Sequence, residues 1–147
     1  MDITEGKSRI VLILEYDGAR YAGFQYQTES PTIQGELEQA IRKLTGEDRR
    51  VLAASRTDAG VHAAGQVVSF WTGASYSLMA FVSGLNHYLP SSICVKEACR
   101  VTEGFNVRRE AVSREYRYSI FNGPVGSPLR RNQAHLVTRP LDLEAMS

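Results

Sequence analysis

The sequence predicts an α+β fold, an antiparallel sheet with helices on one face. Two observations predict it. Strand-like runs and 3.6-residue apolar stripes follow one another in the order β-α-β-β-α-β, with a further strand after them. The chain of 147 residues, 43% of them hydrophobic, is also long enough to bury a core of its own.

Arg9 to Tyr16 is apolar on both faces, with Ile10, Leu12 and Leu14 against Val11 and Ile13, which predicts a central strand covered on both sides. Asp17-Gly18 ends it, and residues 18–31 read as a polar and aromatic loop. Pro31 suits a first helical turn, with Ser30 before it as the cap. Ile33, Leu37, Ala40, Ile41 and Leu44 then form one helical stripe, stopped by Gly46. Arg50 to Ala54 is a short strand leading into a loop, and Gln66 to Trp71 the strand leaving it. Leu78, Phe81, Val82, Leu85 and Leu89 make a second amphipathic helix ending before Pro90. Ile93 to Cys99 reads as a strand, with a helix as the alternative. Arg114 to Phe121 alternates, Tyr116, Tyr118 and Ile120 on one side and Glu115, Arg117 and Ser119 on the other, which predicts another. Asp142 caps a last helical turn, Leu143 to Met146.

Composition excludes several classes. The net charge is +1, but it is segregated: Arg100 to Pro140 holds eight arginines and three acids, Glu103, Glu110 and Glu115. An all-arginine basic segment fits a phosphate-binding face, with a solvated sheet edge as the plain alternative. Cys94 and Cys99, on one strand, are too far apart to bridge and are expected reduced, Cys94 as a small buried hydrophobe. Three scattered histidines give no metal-ligand spacing, so no metal is expected. The run Ile10 to Leu14 is too short for a signal segment or a membrane span. A cytoplasmic protein without membrane contact is the expectation.

The densest chemistry lies in Ala54-Ser55-Arg56-Thr57-Asp58-Ala59-Gly60-Val61-His62-Ala63. Asp-x-Gly is a common turn, in which Asp bonds its own backbone and Gly supplies positive φ. Arg56 and Asp58, two apart in extended backbone, point the same way and can pair, and such a pair keeps a carboxylate ionised.

That segment sits in a succession of motifs: Leu14-Glu15-Tyr16-Asp17-Gly18, Gly23-Phe24-Gln25-Tyr26-Gln27, Thr32-Ile33-Gln34-Gly35-Glu36-Leu37-Glu38, the Arg-Thr-Asp loop, Gly65-Gln66-Val67-Val68, Leu85-Asn86-His87-Tyr88-Leu89-Pro90 and Arg114-Glu115-Tyr116-Arg117-Tyr118. The succession closely resembles the tRNA pseudouridine synthase A family, from about Arg9 to the last residue. One departure is Ser55, where the family usually has Gly before Arg-Thr-Asp; a small residue is retained.

The resemblance implies an RNA-recognition-like, or ferredoxin-like, β-α-β-β-α-β half-domain over residues 1–108, with 109–147 starting the second half of the synthase fold. It implies isomerisation of uridine to pseudouridine at positions 38, 39 and 40 of the tRNA anticodon stem-loop, by a homodimer. The reaction breaks N1–C1′, turns the uracil and joins C5 to C1′. It needs no cofactor, in keeping with the lack of phosphate-loop, dinucleotide and metal signatures. Asp58 is the expected catalytic carboxylate, as nucleophile or as base on the sugar. Arg56 either keeps it ionised or fills the stem when the nucleotide flips out. Tyr116 is the tyrosine that lies against the uracil, while Tyr118 reads as a core aromatic. Arg108, Arg109, Arg114, Arg130, Arg131 and Arg139 are candidate contacts to the tRNA backbone. His62 reads as a loop-stabilising hydrogen bonder. Phe24, Gln25 and Gln66 are candidates for shaping the cleft, with plain packing the alternative. The chain stops one turn into its last helix, so an N-terminal fragment, inactive alone, is expected. The competing class is a non-catalytic RNA-binding module on the same sheet, which leaves Arg56-Thr57-Asp58 without a purpose.

Overall fold

A computed structural model describes residues 6–147, which fall into two compact units divided between Val112 and Ser113. The first is built on a four-stranded antiparallel sheet in the order β2-β3-β1-β4: β1 (Ser8–Tyr16), β2 (Leu52–Ala53), β3 (Ala63–Thr72) and β4 (Ile93–Val101). Helix α1 (Ile33–Thr45) links β1 to β2, and α2 (Leu78–Tyr88) links β3 to β4. The predicted β-α-β-β-α-β order is therefore the observed one.

Period-two alternation on β1 sets the layers. Ile10, Leu12, Leu14 and Tyr16 join one buried cluster with Ile33, Leu37, Ala40 and Ile41 of α1, Phe81 and Leu85 of α2, and Val68 and Phe70 of β3. Leu37 is fully buried there, and trimming it to Ala would cost roughly 2–5 kcal/mol. On the other face Val11 is buried and Ile13 only half-buried, so β1 is central but its second side is less completely covered than its composition predicts.

Helix α1 is capped differently from the prediction. Thr32, not Ser30, is its N-cap, accepting from the Gly35 amide at 3.1 Å. Pro31 lies outside the helix because its carbonyl accepts from the Ala22 amide at 2.9 Å, tying it to the preceding loop. At the other end Gly46 closes the helix in the left-handed conformation, as its position after the apolar stripe predicts. Cys94 and Cys99 are both free thiols on β4, but Cys94 is half-buried rather than buried, because β4 forms an edge of the sheet.

The second unit, Ser113–Ser147, contains a parallel pair of short strands, β5 (Ile120–Asn122) and β6 (His135–Val137), and the single turn α3 (Leu143–Met146). The Asn122 amide nitrogen donates to the carbonyls of Val137 and Arg139, both at 2.8 Å, pinning the end of the strand pair. Asp142 caps α3 by accepting from the amides of Glu144 and Ala145. The strand predicted over 114–121 is present only from Ile120. Alternating side chains give strand propensity, but a strand also needs a ladder of backbone partners. Among the described residues 114–119 are assigned to no sheet, Ser119 reaching β6 through the bond its carbonyl accepts from the His135 amide at 2.8 Å. Tyr118 is correspondingly 82% exposed, which corrects its expected place in a core.

Candidate active site

The Arg-Thr-Asp segment runs between β2 and β3 and is held from three directions. From behind, the buried Gln66 amide donates to the Ser55 carbonyl at 2.6 Å. The Tyr16 hydroxyl, 2.7 Å from Thr57 Oγ1, holds the next residue but one. From the side, the loop after β1 adds backbone bonds: the Phe24 amide donates to the Thr57 carbonyl at 2.9 Å, and the Gly60 amide to Tyr21 at 3.2 Å. From beyond the turn, the Gly18 amide donates to His62 Nδ1 at 3.1 Å.

Two glycines make this close approach possible. A Cβ at Gly18 would lie 1.9 Å from the Val61 carbonyl oxygen. One at Gly23 would lie 2.9 Å from the Thr57 oxygen, and Gly23 has φ of +102, which other residues rarely adopt. The two loops thus meet backbone to backbone.

The turn itself is formed by the main chain. Gly60 has φ of 79, and the Val61 amide donates to the Asp58 carbonyl at 3.2 Å. The Asp58 carboxylate is not used for it: no hydrogen bond or ion pair among the described residues engages that group. With Thr57 directed inward onto Tyr16, the side chains on either side, Arg56 and Asp58, are exposed. They do not form the pair that their spacing allows; no ion pair joins them among the described residues. An ion pair in open water gains little over solvation. Arg56 instead lines a depression of about 110 Å³ with Phe24, Gln25, Gln34, Val51, Ala53 and Arg108. Arg108 Nε donates to the Ala53 carbonyl at 3.2 Å, so this guanidinium is fixed beside the loop's entry strand.

Burial pushes the Tyr16 hydroxyl above its ordinary pKa, against the opposing effect of its bonds to Thr57 and Gln66. It remains a neutral hydrogen-bonding group. His62 Nδ1 faces two neighbours with opposite demands: it accepts from Gly18 and lies 3.1 Å from Asp17 Oδ1. His62 therefore stabilises the loop, as its sequence context indicates. Phe24 is a core residue, its ring 6.4 Å from that of Tyr16. No group of three or more His, Cys, Asp or Glu suited to a metal ion occurs among the described residues. None of the helices described is long and apolar enough to cross a membrane.

The other expected site residues lie elsewhere. Arg109 is exposed near the end of the first unit, its amide donating to Asn106. Tyr116 belongs to the second unit, in an irregular stretch, and is 75% exposed. Arg114, Arg130, Arg131 and Arg139 are exposed on that unit too, with Arg130 over the Phe121 ring at 5.3 Å. Sequence reasoning missed the holding roles of Tyr16, Gly18 and Gly23, and left Gln66 undecided. One signal was available: Gln66 occupies a core-facing position of β3, in line with Val68 and Phe70, where an apolar residue is the norm.

Comparison with known proteins gives the chain's family. The sequence profile of a family described as tRNA pseudouridine synthase matches residues 12–108. The tRNA pseudouridine synthase A of Roseiflexus castenholzii is 50% identical over 137 residues, 93% of this chain and 51% of that protein. Those of Pelobacter propionicus and Myxococcus xanthus are 46% and 45% identical, over 93% and 94% of this chain and 56% and 52% of theirs. The chain spans about half the length of these curated relatives. On a profile covering residues 12–108, most of its length, the chain belongs to the tRNA pseudouridine synthase family.

Proposed function

We propose that this chain is the part of a tRNA pseudouridine synthase that carries the reacting carboxylate, and that the protein isomerises uridines 38, 39 and 40 of the anticodon stem-loop. The observation that carries the reading is the loop of Arg56 and Asp58. Gln66 and the loop after β1 bond its backbone and Tyr16 bonds the Thr57 hydroxyl, yet the Asp58 carboxylate has no partner among the described residues and faces solvent. A turn held for stability alone has no need of a free carboxylate there.

In the reaction the N1–C1′ bond breaks and C5–C1′ forms. The C5 proton is lost to solvent and N1 ends protonated, so the product is an isomer and no redox partner is consumed. Asp58 either attacks C1′ or removes a proton from the sugar. Arg56, at the rim of the depression beside it, takes up space left in the stem when the nucleotide flips, or steadies the charge of Asp58 once water is excluded. Tyr116 stacks against the uracil, an interaction worth roughly 1–3 kcal/mol. Arg108, Arg109, Arg114, Arg130 and Arg131 meet tRNA phosphates. The working unit is a cytoplasmic homodimer, and this chain is an N-terminal fragment, inactive alone because the cleft lacks its second wall.

The rival reading, a non-catalytic RNA-binding module, expects exposed aromatic rings on the open sheet face. On β1 and β3 that face carries one ring, Trp71, and Arg9 lies over it at 4.4 Å from the centroid. This favours the synthase. The test is tritium release from tRNA labelled at uridine C5, with the full-length protein and the 147-residue chain side by side. Release from positions 38, 39 and 40 by the full-length protein alone is expected; equal turnover by the short chain would contradict the fragment reading.

A further inference from the structure

Two polar groups are buried at the end of the core nearest the Arg-Thr-Asp loop, and packing does not explain them. Tyr16 is 3% exposed and Gln66 6%. They lie on adjacent strands, where β1 pairs with β3 and the register slips between Leu14 and Tyr16. Leu14 is opposite Gln66, and the other core-facing residues nearby, Leu12, Val68 and Phe70, are apolar. Burying a hydroxyl and a carboxamide is costly unless both are hydrogen-bonded. Their bonds lead in one direction, into the loop. The two residues that flank Arg56 are the ones held: the Ser55 carbonyl by Gln66 at 2.6 Å and Thr57 Oγ1 by Tyr16 at 2.7 Å. Gln66 also donates to the Tyr16 oxygen at 3.5 Å, so the two buried groups are joined to each other as well as to the loop.

We infer that Tyr16 and Gln66 are positioning residues for the reaction, holding Ser55 and Thr57 so that Arg56 and Asp58 face the substrate. The inference rests on the proposed catalytic role of the loop. Thr57 is the hinge of the arrangement: its side chain is drawn inward onto Tyr16, while its neighbours Arg56 and Asp58 are exposed. Without the Tyr16 hydroxyl, Thr57 loses its inward anchor, and the Asp58 carboxylate is no longer set to within the fraction of an ångström that a reacting group needs.

The test uses the full-length protein and single-turnover rates on tRNA, with binding and melting measured in parallel. Tyr16→Phe keeps the ring against Phe24 and removes only the hydroxyl. It should slow turnover roughly 10- to 100-fold, with tRNA affinity within about twofold and melting little changed. Thr57→Val should do the same, and the double variant should be no slower than either single one, because both remove one bond. Gln66→Met tests the second hold and should slow turnover likewise. Asp58→Asn is the control for the underlying reading. If Asp58→Asn is inactive while Tyr16→Phe turns over normally, the positioning role is wrong and the proposed function stands. Additive rate losses that follow losses in melting temperature would make the pair merely structural and overturn the inference. An active Asp58→Asn would remove the proposed function and this inference with it.

Discussion

A single methyl group added at Gly18 would collide with the Val61 carbonyl, and that collision shows how the site is held. Backbone meets backbone there, so nothing flexible can give way. Gly18→Ala should cost roughly 1–3 kcal/mol, the usual penalty for overpacking, and slow turnover by displacing His62 and the turn before it. Thermal melts and initial rates check this; an unchanged melt would mean that the two loops do not approach so closely. At this scale the sequence was informative about chemistry and silent about support. Arg56 and Asp58 stand out because a charged pair around an Asp-x-Gly turn is unusual for a connection between strands. The partners that hold them, Tyr16 and Gln66, come from 50 residues apart in the chain, and no local pattern joins them. The Arg56–Asp58 pair was legible as a spacing, but exposure to water removes the reason for it to form.

Glu47, just beyond the end of α1, ties three elements together. It pairs with Arg49 at 2.9 Å, accepts from the Gly73 amide at 3.0 Å and takes the Thr72 hydroxyl at the end of β3. The Arg49 hydrogen bond foremost, with those of Thr72 and Gly73, holds its carboxyl at a pKa of about 2 instead of 4.5, against the opposing effect of burial. Because the folded value is the lower one, this contribution is complete above about 4.5 and is lost as pH falls toward 2. Glu47→Gln should therefore melt lower than the wild type at pH 7, and the difference should vanish as pH approaches 2. A difference constant across that range would rule the carboxylate out as its source. Elements with a strong period were legible: both helices, the central strand and the closing turn at Gly46 follow their apolar spacing. Ser30 was misread as a cap because the Pro31 rule describes helix starts in isolation, whereas here Pro31 binds the loop through Ala22. The strand at 114–119 was misread because its alternation is local and its pairing is not.

Over the whole molecule, charge separates from fold. The arginines after residue 100 take almost no part in the core, and those at 108, 109, 130 and 131 are all exposed. If they meet phosphates in the full-length protein, replacing all four with Ala should weaken tRNA binding at low salt and flatten its salt dependence by up to about four counterions' worth. An unchanged slope would make them a solvated surface. The succession of elements was legible at this scale, β-α-β-β-α-β with an antiparallel sheet, and connections of that kind leave few topologies open. The second unit was legible only at its end, where Asp142 announces the turn Leu143–Met146; its two strands are short and pair with partners far along the chain, which local sequence does not reveal. The central claim is that the Asp58 carboxylate, presented by a loop held everywhere but at its tip, performs the isomerisation. Its most direct test is tritium release by full-length Asp58→Asn on tRNA labelled at uridine C5, with tRNA binding measured on the same sample. Release at background with binding intact is expected; substantial release by Asp58→Asn would show that another group does the chemistry.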